Sequence, residues 1–488
     1  MTLAEPLRGG ISAPASTPRR GPARGVSAAT QARIDSGLMR GRLPWPVVLY
    51  LVCVAVPVWF DIGPLSLSLT RVYLLLIIVP LFVRLLAGHF GPLIATDWLF
   101  LAHTAWIAVA LGINSPDKML TQVGSVGVEF LGGYAVARAH VRTPEVFLAL
   151  CRALVLIVLC LFPFILIEAM TGRTLIVEAI RAIPGIRSVA MIDIGKRLGL
   201  ERVQSIFNHP IHHGLFCSVV FSLAFVGLRG VVSDIWRWIV STVVGIACLL
   251  GLSSGAWLAL ILQLGLIVWA TAMARVRGRW WWLVALFALA YVMVDILSNR
   301  SPIQVFLSYA TFSSHTAYWR MIIFDWGSAN VIGSAEKGIT GSPVFGIGLN
   351  DWIRPSYMRS GSMDNFWLVT AVRYGLPGLL TLAVGYFLVM ARVMRRDFTA
   401  DPVLAQIRLA WVFTFVGLTF TLCTVHVWNT IYSFIFFMFG AGVWLIFAEP
   451  ARPDAVTGAG TDGRAEAGPA RAGPRYSRFA PRAGRAAS

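Results

Sequence analysis

The chain has 488 residues, of which 57% are hydrophobic and only 13% are charged, and its formal net charge is +18. A soluble domain cannot bury so much apolar surface, so the composition excludes a soluble globular protein and favours an integral membrane protein. In a soluble protein this charge would suggest a nucleic-acid partner. We expect none here, because no basic stripe with interleaved aromatic residues lies outside the apolar segments.

The two ends of the chain are similar in composition. Residues 1–43 and 449–488 are rich in Arg, Ala, Pro and Gly and contain no apolar run. We predict that both are disordered basic tails on the cytoplasmic side of the membrane, and that the first is not a cleavable signal peptide. Two cytoplasmic ends require an even number of spans.

Residues 44–448 are predicted to form an all-α, polytopic transmembrane helical bundle of about twelve spans, since a bilayer core of roughly 30 Å needs about 20 apolar residues per helix. The predicted spans are residues 44–60, 67–87, 97–114, 119–137, 146–170, 209–228, 236–251, 255–274, 281–298, 365–391, 405–424 and 428–447. Arginines cluster in alternate loops, whereas short loops such as "DIGPLS" and "HVWN" lack Lys and Arg, and the positive-inside rule then places the N-terminus in the cytoplasm.

Two long segments, residues 171–208 and 299–364, are predicted to lie outside although both carry several Lys and Arg residues. Long loops translocate largely regardless of charge. These cations either form a solvated basic surface or face a polyanionic or pyrophosphate-bearing substrate. The second segment, between spans nine and ten, opens with the amphipathic "SSHTAYWRMIIFDWGSANVI", predicted as an interfacial helix. Its "GSPVFGIGLNDW" turn cluster is predicted to cross back over the bundle.

The stretch "RLGLERVQSIFNHPIHHGLF" places Arg197, Arg202 and His209 just before span six. Its three histidines could bind a metal, but no cysteine outside the spans and few carboxylates support that, and we expect no metal site. The stretch is then either a plain start of a helix or a polar rim that faces substrate. Arg320, in "HTAYWRMIIF", could bind lipid headgroups or hold a phosphate through its planar fork.

Span ten begins with Asp364 and Asn365, residue types that cap helices. Arg373 follows roughly 14 Å further along the helix. An ionisable residue at such depth is costly and usually faces a cavity or a partner. The candidate partners on other spans are Glu129 and Asp295.

Pro377 follows in "YGLPGLL" and is predicted to bend span ten. The sequence contains no GxxxxGK[ST] phosphate loop, no GxGxxG after a strand, no Asp-x-Asp and no GxSxG. Any chemistry therefore depends on residues of the spans and the outside loops.

The motifs "RVQSIFNHPIHHG", "GLSSGAWLALIL", "YWRMIIF", "SPVFGIGLNDW" and "DNFWLVTAVRYGLPGL" occur in this order. The pattern resembles the O-antigen ligase and O-antigen polymerase superfamily of bacterial envelope glycosyltransferases, over about residues 200–390 in motifs and over the whole chain in architecture. The resemblance implies a metal-independent, inverting glycosyltransferase of the bacterial inner membrane that needs no cofactor. It would transfer a glycan from undecaprenyl pyrophosphate to an acceptor hydroxyl on the outer side.

The resemblance also implies which residues meet the charge of the pyrophosphate. Arg202 and Arg320 match arginine-bearing positions of the family, and Arg197 is a nearby candidate. Asn365 and Arg373 are further candidates for binding the substrate.

For the catalytic base the chain departs from the family. In ligases the base is commonly a His ahead of Asn at the start of the span, and here that position is Asp364, ahead of Asn365. Asp364 is thus either the catalytic base or only a helix cap, and His209 is the second candidate for the base. The loss of the His favours a polymerase over a lipid A ligase.

Three functions follow from these observations. The first is a polymerase of undecaprenyl-pyrophosphate-linked repeat units in exopolysaccharide or O-antigen biosynthesis. The second is a ligase that transfers the polymer to a lipid or other acceptor, and the third is a polysaccharide-related transporter. The expected partners are the lipid-linked glycan, the bilayer, and other polysaccharide export and chain-length proteins.

Overall fold

A computed structural model describes residues 38, 41–63, 65–299, 301–302, 305–306 and 314–450, and the two predicted tails lie almost entirely outside these residues. The described part is mostly helical. Its helices are α1 (Trp45–Ala55), α2 (Leu69–Leu86), α3 (Ala95–Asn114), α4 (Pro116–Gly127), α5 (Gly133–His140), α6 (Pro144–Thr171), α7 (Leu175–Arg181), α8 (Pro210–Ser222), α9 (Asp234–Leu250), α10 (Ser254–Ala272), α11 (Arg279–Leu297), α12 (Ser314–Ile332), α13 (Phe366–Met394), α14 (Pro402–Leu422) and α15 (Asn429–Gly440).

Three short helical pieces complete the described helices. A π-helical segment, Val128–Gly132, joins α4 to α5, and a second, Leu223–Gly227, extends α8. A 3₁₀ turn, Val443–Ile446, follows α15.

Nine helices in the described part of the chain are long and apolar enough to cross a membrane, which supports the prediction of a helical membrane protein. They coincide with nine of the predicted spans. The other three differ: 44–60 contains only the 11-residue α1 before a strand begins, 119–137 is interrupted by the π-helical segment, and 236–251 corresponds to the 17-residue α9. The count of twelve spans is therefore not confirmed.

A small antiparallel sheet departs from the all-α prediction. Strands β1 (Val58–Ile62), β2 (Leu65–Ser68) and β3 (Arg187–Ser188) pair in the order β2-β1-β3. The aromatic and β-branched residues of β1 suit a strand, and the first predicted span wrongly included them. The side chain of Arg187 also pairs with Asp61, so the sheet ties the 171–208 segment to the hairpin after α1.

Helix α13 is broken in its middle. Gly375 has φ 71° and ψ −178°, a backbone conformation that separates a first half ending at Tyr374 from a second half beginning at Leu376. Pro377 has no N–H with which to bond the carbonyl of Arg373, so the helical ladder is already interrupted there. The bend predicted at Pro377 is thus realised as a break two residues earlier.

The "GSPVFGIGLNDW" segment, residues 341–352, fills this break. The N–H of Ile347 donates to the carbonyl of Val372 at 2.8 Å, and the N–H of Gly348 donates to that of Arg373 at 3.0 Å. The N–H of Leu376 in turn donates to the carbonyl of Pro343 at 2.7 Å. Backbone groups freed by the break need such partners in an apolar setting. The segment, which was predicted to cross back over the bundle, thus completes the hydrogen bonding of α13 at its break.

The core lies around the last predicted span. Of residues Asn429–Ile446, 89% are buried inside the protein, whereas the span of α11 has none buried. Helix α15 packs against α5 and the π-helical segment before it, and α3 packs along α13. This arrangement places α15 at the centre of the described part of the molecule and leaves α11 at its periphery.

Candidate functional site

A cavity of about 560 Å³, here called the main cavity, lies where four parts of the chain meet. These parts are the start of α8, the loop before α13, the first half of α13, and the connection between α14 and α15. Three of the predicted site residues line it: His209, Asp364 and Arg373. Arg197, Arg202, Arg320 and Asn365 do not belong to its walls.

Asp364 and Asn365 have different roles in the structure. The side chain of Asn365 accepts a hydrogen bond from the N–H of Leu368 at 3.0 Å, so Asn365 is the residue that caps α13. The carboxylate of Asp364 instead accepts a hydrogen bond from the Ser362 hydroxyl at 3.0 Å and lines the main cavity. Helix capping therefore does not account for Asp364.

Arg320 lies on α12 with 8% of its surface exposed. Its Nη2 donates to the hydroxyl of Ser254, at the start of α10, at 3.2 Å. Burial lowers the pKa of Arg320, while the negative charge of Asp364 raises it and the positive charge of Arg197 lowers it. Arg320 is therefore a buried cation that neighbours the carboxylate of the main cavity.

Arg197 lies close to the same helix start, because its Nη1 donates to the carbonyl of Leu252 at 3.0 Å. Arg202 lines a separate cavity of about 380 Å³ with several carboxylate residues. Burial lowers its pKa to about 10, with a further contribution from Arg197. Its Nε is buried and has no hydrogen-bond partner among the described residues. Arg202 thus stands beside the main cavity rather than in its wall.

His209 caps α8. Its Nδ1 accepts a hydrogen bond from the N–H of Ile211 at 3.1 Å. Burial, together with the smaller effect of the positive charges of Arg202 and Arg197, lowers the pKa of His209 to about 4. The neutral ring therefore carries its proton on Nε2, which makes that atom a donor. This geometry suits His209 for donating a hydrogen bond from Nε2 to an oxygen of a ligand.

His426 and Trp428 also line the main cavity. From the sequence, their "HVWN" segment is predicted only to be a short loop. The ring of His426 stacks between Phe366, at 6.3 Å, and Trp428, at 5.8 Å between centroids. Burial lowers its pKa to about 3, and the charge of Arg373 acts in the same direction. A His in a short connection between two apolar spans was the signal that could have identified it.

Arg373 lines both the main cavity and a smaller cavity of about 130 Å³ that continues from it. The predicted partners are wrong. Glu129 lines the smaller cavity, but its Oε1 is bound by Nε of Arg71 at 2.7 Å, and Asp295 lies on the exposed face of α11. Within the described residues no carboxylate lies within 4.0 Å of the Arg373 guanidinium.

The histidines of α8 do not converge on one point. Nε2 of His213 is hydrogen-bonded to the carbonyl of Ala247 at 2.9 Å, and the ring of His212 packs against Trp428 with 4.1 Å between centroids. Across the residues that the structure describes, no group of three or more His, Cys, Asp or Glu side chains is arranged to hold a metal ion.

No protein-family model matches the chain, and no curated protein matches it in sequence. The function is therefore inferred from the geometry of the main cavity and from the motif resemblance.

Proposed function

We propose that the protein polymerises oligosaccharide repeat units linked to undecaprenyl pyrophosphate, by metal-independent, inverting glycosyl transfer at the outer face of the bacterial inner membrane. The product would be an exopolysaccharide or O-antigen. The observation that carries the proposal is the position of Asp364. Its carboxylate lies on the wall of the main cavity, next to the buried cation of Arg320.

The arginines near this carboxylate support a pyrophosphate leaving group. Arg320 and Arg197 both reach the segment just before and at the start of α10, at Ser254 and Leu252. Arg202 lies close enough to His209 to lower its pKa. Departure of the pyrophosphate leaves negative charge that must be stabilised, and preorganised guanidinium groups supply that stabilisation.

In the proposed reaction an acceptor hydroxyl attacks the anomeric carbon from the face opposite the pyrophosphate. The new bond joins the acceptor oxygen to that carbon, and the bond between the carbon and the pyrophosphate oxygen breaks with its electron pair leaving on the phosphate. Asp364 takes the hydroxyl proton, as carboxylates do for the nucleophile in inverting glycosidases. Nε2–H of His209 is placed to donate a hydrogen bond to a glycan or phosphate oxygen.

The main cavity has properties that suit a glycan. Its volume of about 560 Å³ falls in the usual range for small-molecule sites. Trp352 and Trp428 line it, and aromatic rings offer an apolar face to the C–H surfaces of sugars with a polar atom at the edge. The indole Nε1 of Trp352 is held by the carbonyl of Gly361 at 3.0 Å, which fixes the ring.

The proposed orientation places both termini in the cytoplasm and the main cavity at the outer end of the bundle. It rests on the alternation of arginine-rich and arginine-free loops in the sequence. Export and chain-length proteins of a polysaccharide system are the expected neighbours.

The test is the length of lipid-linked glycans in a deletion strain complemented with variants. We expect single repeat units to accumulate in the deletion strain and with Asp364→Asn or Arg320→Lys, because the second change keeps the charge but loses the planar fork. Arg392→Lys, an exposed position at the far end of α13, is the matched control and restores polymer. Accumulated full-length chains would indicate a ligase instead, and an unchanged pool would favour a transporter.

A further inference from the structure

Positive charge adjoins the main cavity in two regions, here called its first and second ends. The arginines of the first end lie beside the wall, and Arg373 at the second end lies in it. At the first, Asp364 and His209 are flanked by the arginines at 197, 202 and 320. At the second stands Arg373, seven residues after Phe366 and so about 10 Å along the axis of α13 from its first residue. Its charge acts on His426, whereas the charges that act on His209 are those of the other end. A single pyrophosphate at the first end leaves the second end without an anion.

The charge of Arg373 is not balanced by the protein. Glu129, the carboxylate that shares the smaller cavity with it, is bound by Arg71, which also donates to the side-chain oxygen of Asn429 at 2.8 Å. No carboxylate of the described residues, Glu129 included, lies within 4.0 Å of the Arg373 guanidinium. The Tyr374 side chain is a hydrogen-bonding neighbour of Arg373 but carries no counter-charge. A cation inside a membrane protein without an acidic partner is costly, so we look for that partner in the ligand of the cavity.

The backbone of Arg373 is held in place. Its carbonyl accepts from the N–H of Gly348 at 3.0 Å, and the next carbonyl, of Tyr374, accepts from the indole of Trp106 at 2.8 Å. The break at Gly375 ends the first half of α13 immediately after these residues. Such support preorganises the position from which the guanidinium reaches into the cavity, as specific anion recognition requires.

We propose that Arg373 binds a carboxylate on the glycan, so that the repeat unit contains an acidic sugar such as a uronic acid. This inference rests on the proposed function. The planar guanidinium matches a carboxylate through two parallel hydrogen bonds. Trp352 and Trp428 lie in the wall of the same cavity and can contact the intervening sugar rings. The pyrophosphate of the acceptor is the less suitable anion, because a whole repeat unit separates it from the reacting hydroxyl.

The first experiment determines the chemistry of the lipid-linked units that accumulate in the deletion strain, by mass spectrometry after release from the carrier. We expect a carboxylate-bearing sugar in each unit. A neutral unit overturns the acidic-sugar inference while leaving the polymerase proposal in place. An unchanged lipid-linked pool rejects the proposed function itself, so the two failures are distinguishable.

The second experiment assigns the carboxylate to Arg373. The purified full-length protein in nanodiscs is given the native unit or the same unit with its carboxylate reduced to an alcohol. For the wild type, reduction should raise KM or lower kcat/KM by about 10- to 100-fold, the range for hydrogen bonds to charged groups. Arg373→Gln should process both units equally slowly, and Arg373→Lys should retain part of the preference for the native unit.

A wild-type enzyme that does not distinguish the two units would overturn the assignment, as would an Arg373→Gln variant that still prefers the native one. If Arg373→Gln fails to fold, Arg373→Lys retains the charge and gives the same comparison. In that case, an Arg373→Lys variant with the same preference for the native unit as the wild type would show that the glycan carboxylate binds elsewhere than at Arg373.

Discussion

Nε of Arg71 lies 2.7 Å from Oε1 of Glu129, and this ion pair determines which cation of the neighbouring cavity is left for a ligand. Glu129 is 1% exposed and lies in the π-helical segment before α5. Arg71 completes its hydrogen bonding with the carbonyl of Ser66 and the side chain of Asn429. Because Glu129 is paired with Arg71, Arg373 faces the cavity with no carboxylate of the described residues within 4.0 Å of its guanidinium.

Removing one partner of this pair should be strongly destabilising. Arg71→Ala leaves a buried carboxylate without its cation, and we expect a loss of about 3 kcal/mol or more in the free energy of unfolding. The double variant Arg71→Met with Glu129→Met removes both charges and should recover much of that loss. Thermal unfolding in detergent micelles measures both. A double variant as unstable as the single one would show that the pair is not an isolated electrostatic unit.

The break in α13 depends on a glycine. A Cβ at residue 375 would collide with the carbonyl oxygen of Val344, and φ there is positive, so Gly375→Ala should undock residues 341–352. We expect a stability loss of about 2 kcal/mol or more together with loss of activity. Gly265→Ala is the matched control, because a Cβ at that helical position meets open space. Equal melting temperatures of the two variants would contradict this account.

Substitutions at the adjacent residues Asp364 and Asn365 should have different effects, one on activity and the other on stability. Asn365→Ala removes the cap of α13 and should cost about 1 kcal/mol of stability. Asp364→Asn keeps the size of the side chain and removes the proposed base, so it should abolish glycosyl transfer without shifting the melting temperature. The two quantities are measured on the same purified samples. Normal transfer by Asp364→Asn would remove Asp364 from the reaction.

His209 predicts the direction in which stability changes with pH. Its folded pKa is about 4, below the value of 6.5 for an exposed His. Between these two pH values the unfolded chain binds more protons at His209 than the folded protein does. The contribution of His209 to the free energy of unfolding is therefore fully present above about pH 6.5 and is lost as the pH drops towards 4. His426, with a pKa of about 3, acts in the same sense.

The variant His209→Asn keeps a capping oxygen but does not titrate. Its melting temperature should therefore fall less steeply between pH 7.5 and 4.5 than that of the wild type, and the remaining slope comes from the other titratable groups, His426 among them. Melting curves across this range provide the measurement. Identical slopes would mean that the protonation of His209 is not coupled to folding.

The sequence by itself determined the features that depend on local composition. Nine apolar runs form helices long enough to cross a membrane, because a span needs only a continuous run of apolar residues. The Asp-Asn pair marks the start of α13, because a helix cap needs only one hydrogen-bond acceptor beside the first turn. Strand β1 was missed because its apolar residues continue the run that forms α1.

Only the tertiary structure decided which polar residues meet. Arg71 pairs with Glu129, the carboxylate that was predicted as a partner of Arg373, and His426 lines the main cavity from a loop that carries no recognisable motif. The segment 341–352 completed the broken α13. Each of these relationships joins residues distant in sequence, and burial forces every polar group in an apolar interior to find a partner wherever the packing provides one. Local sequence patterns show that such groups exist, while the packing of the helices selects their partners.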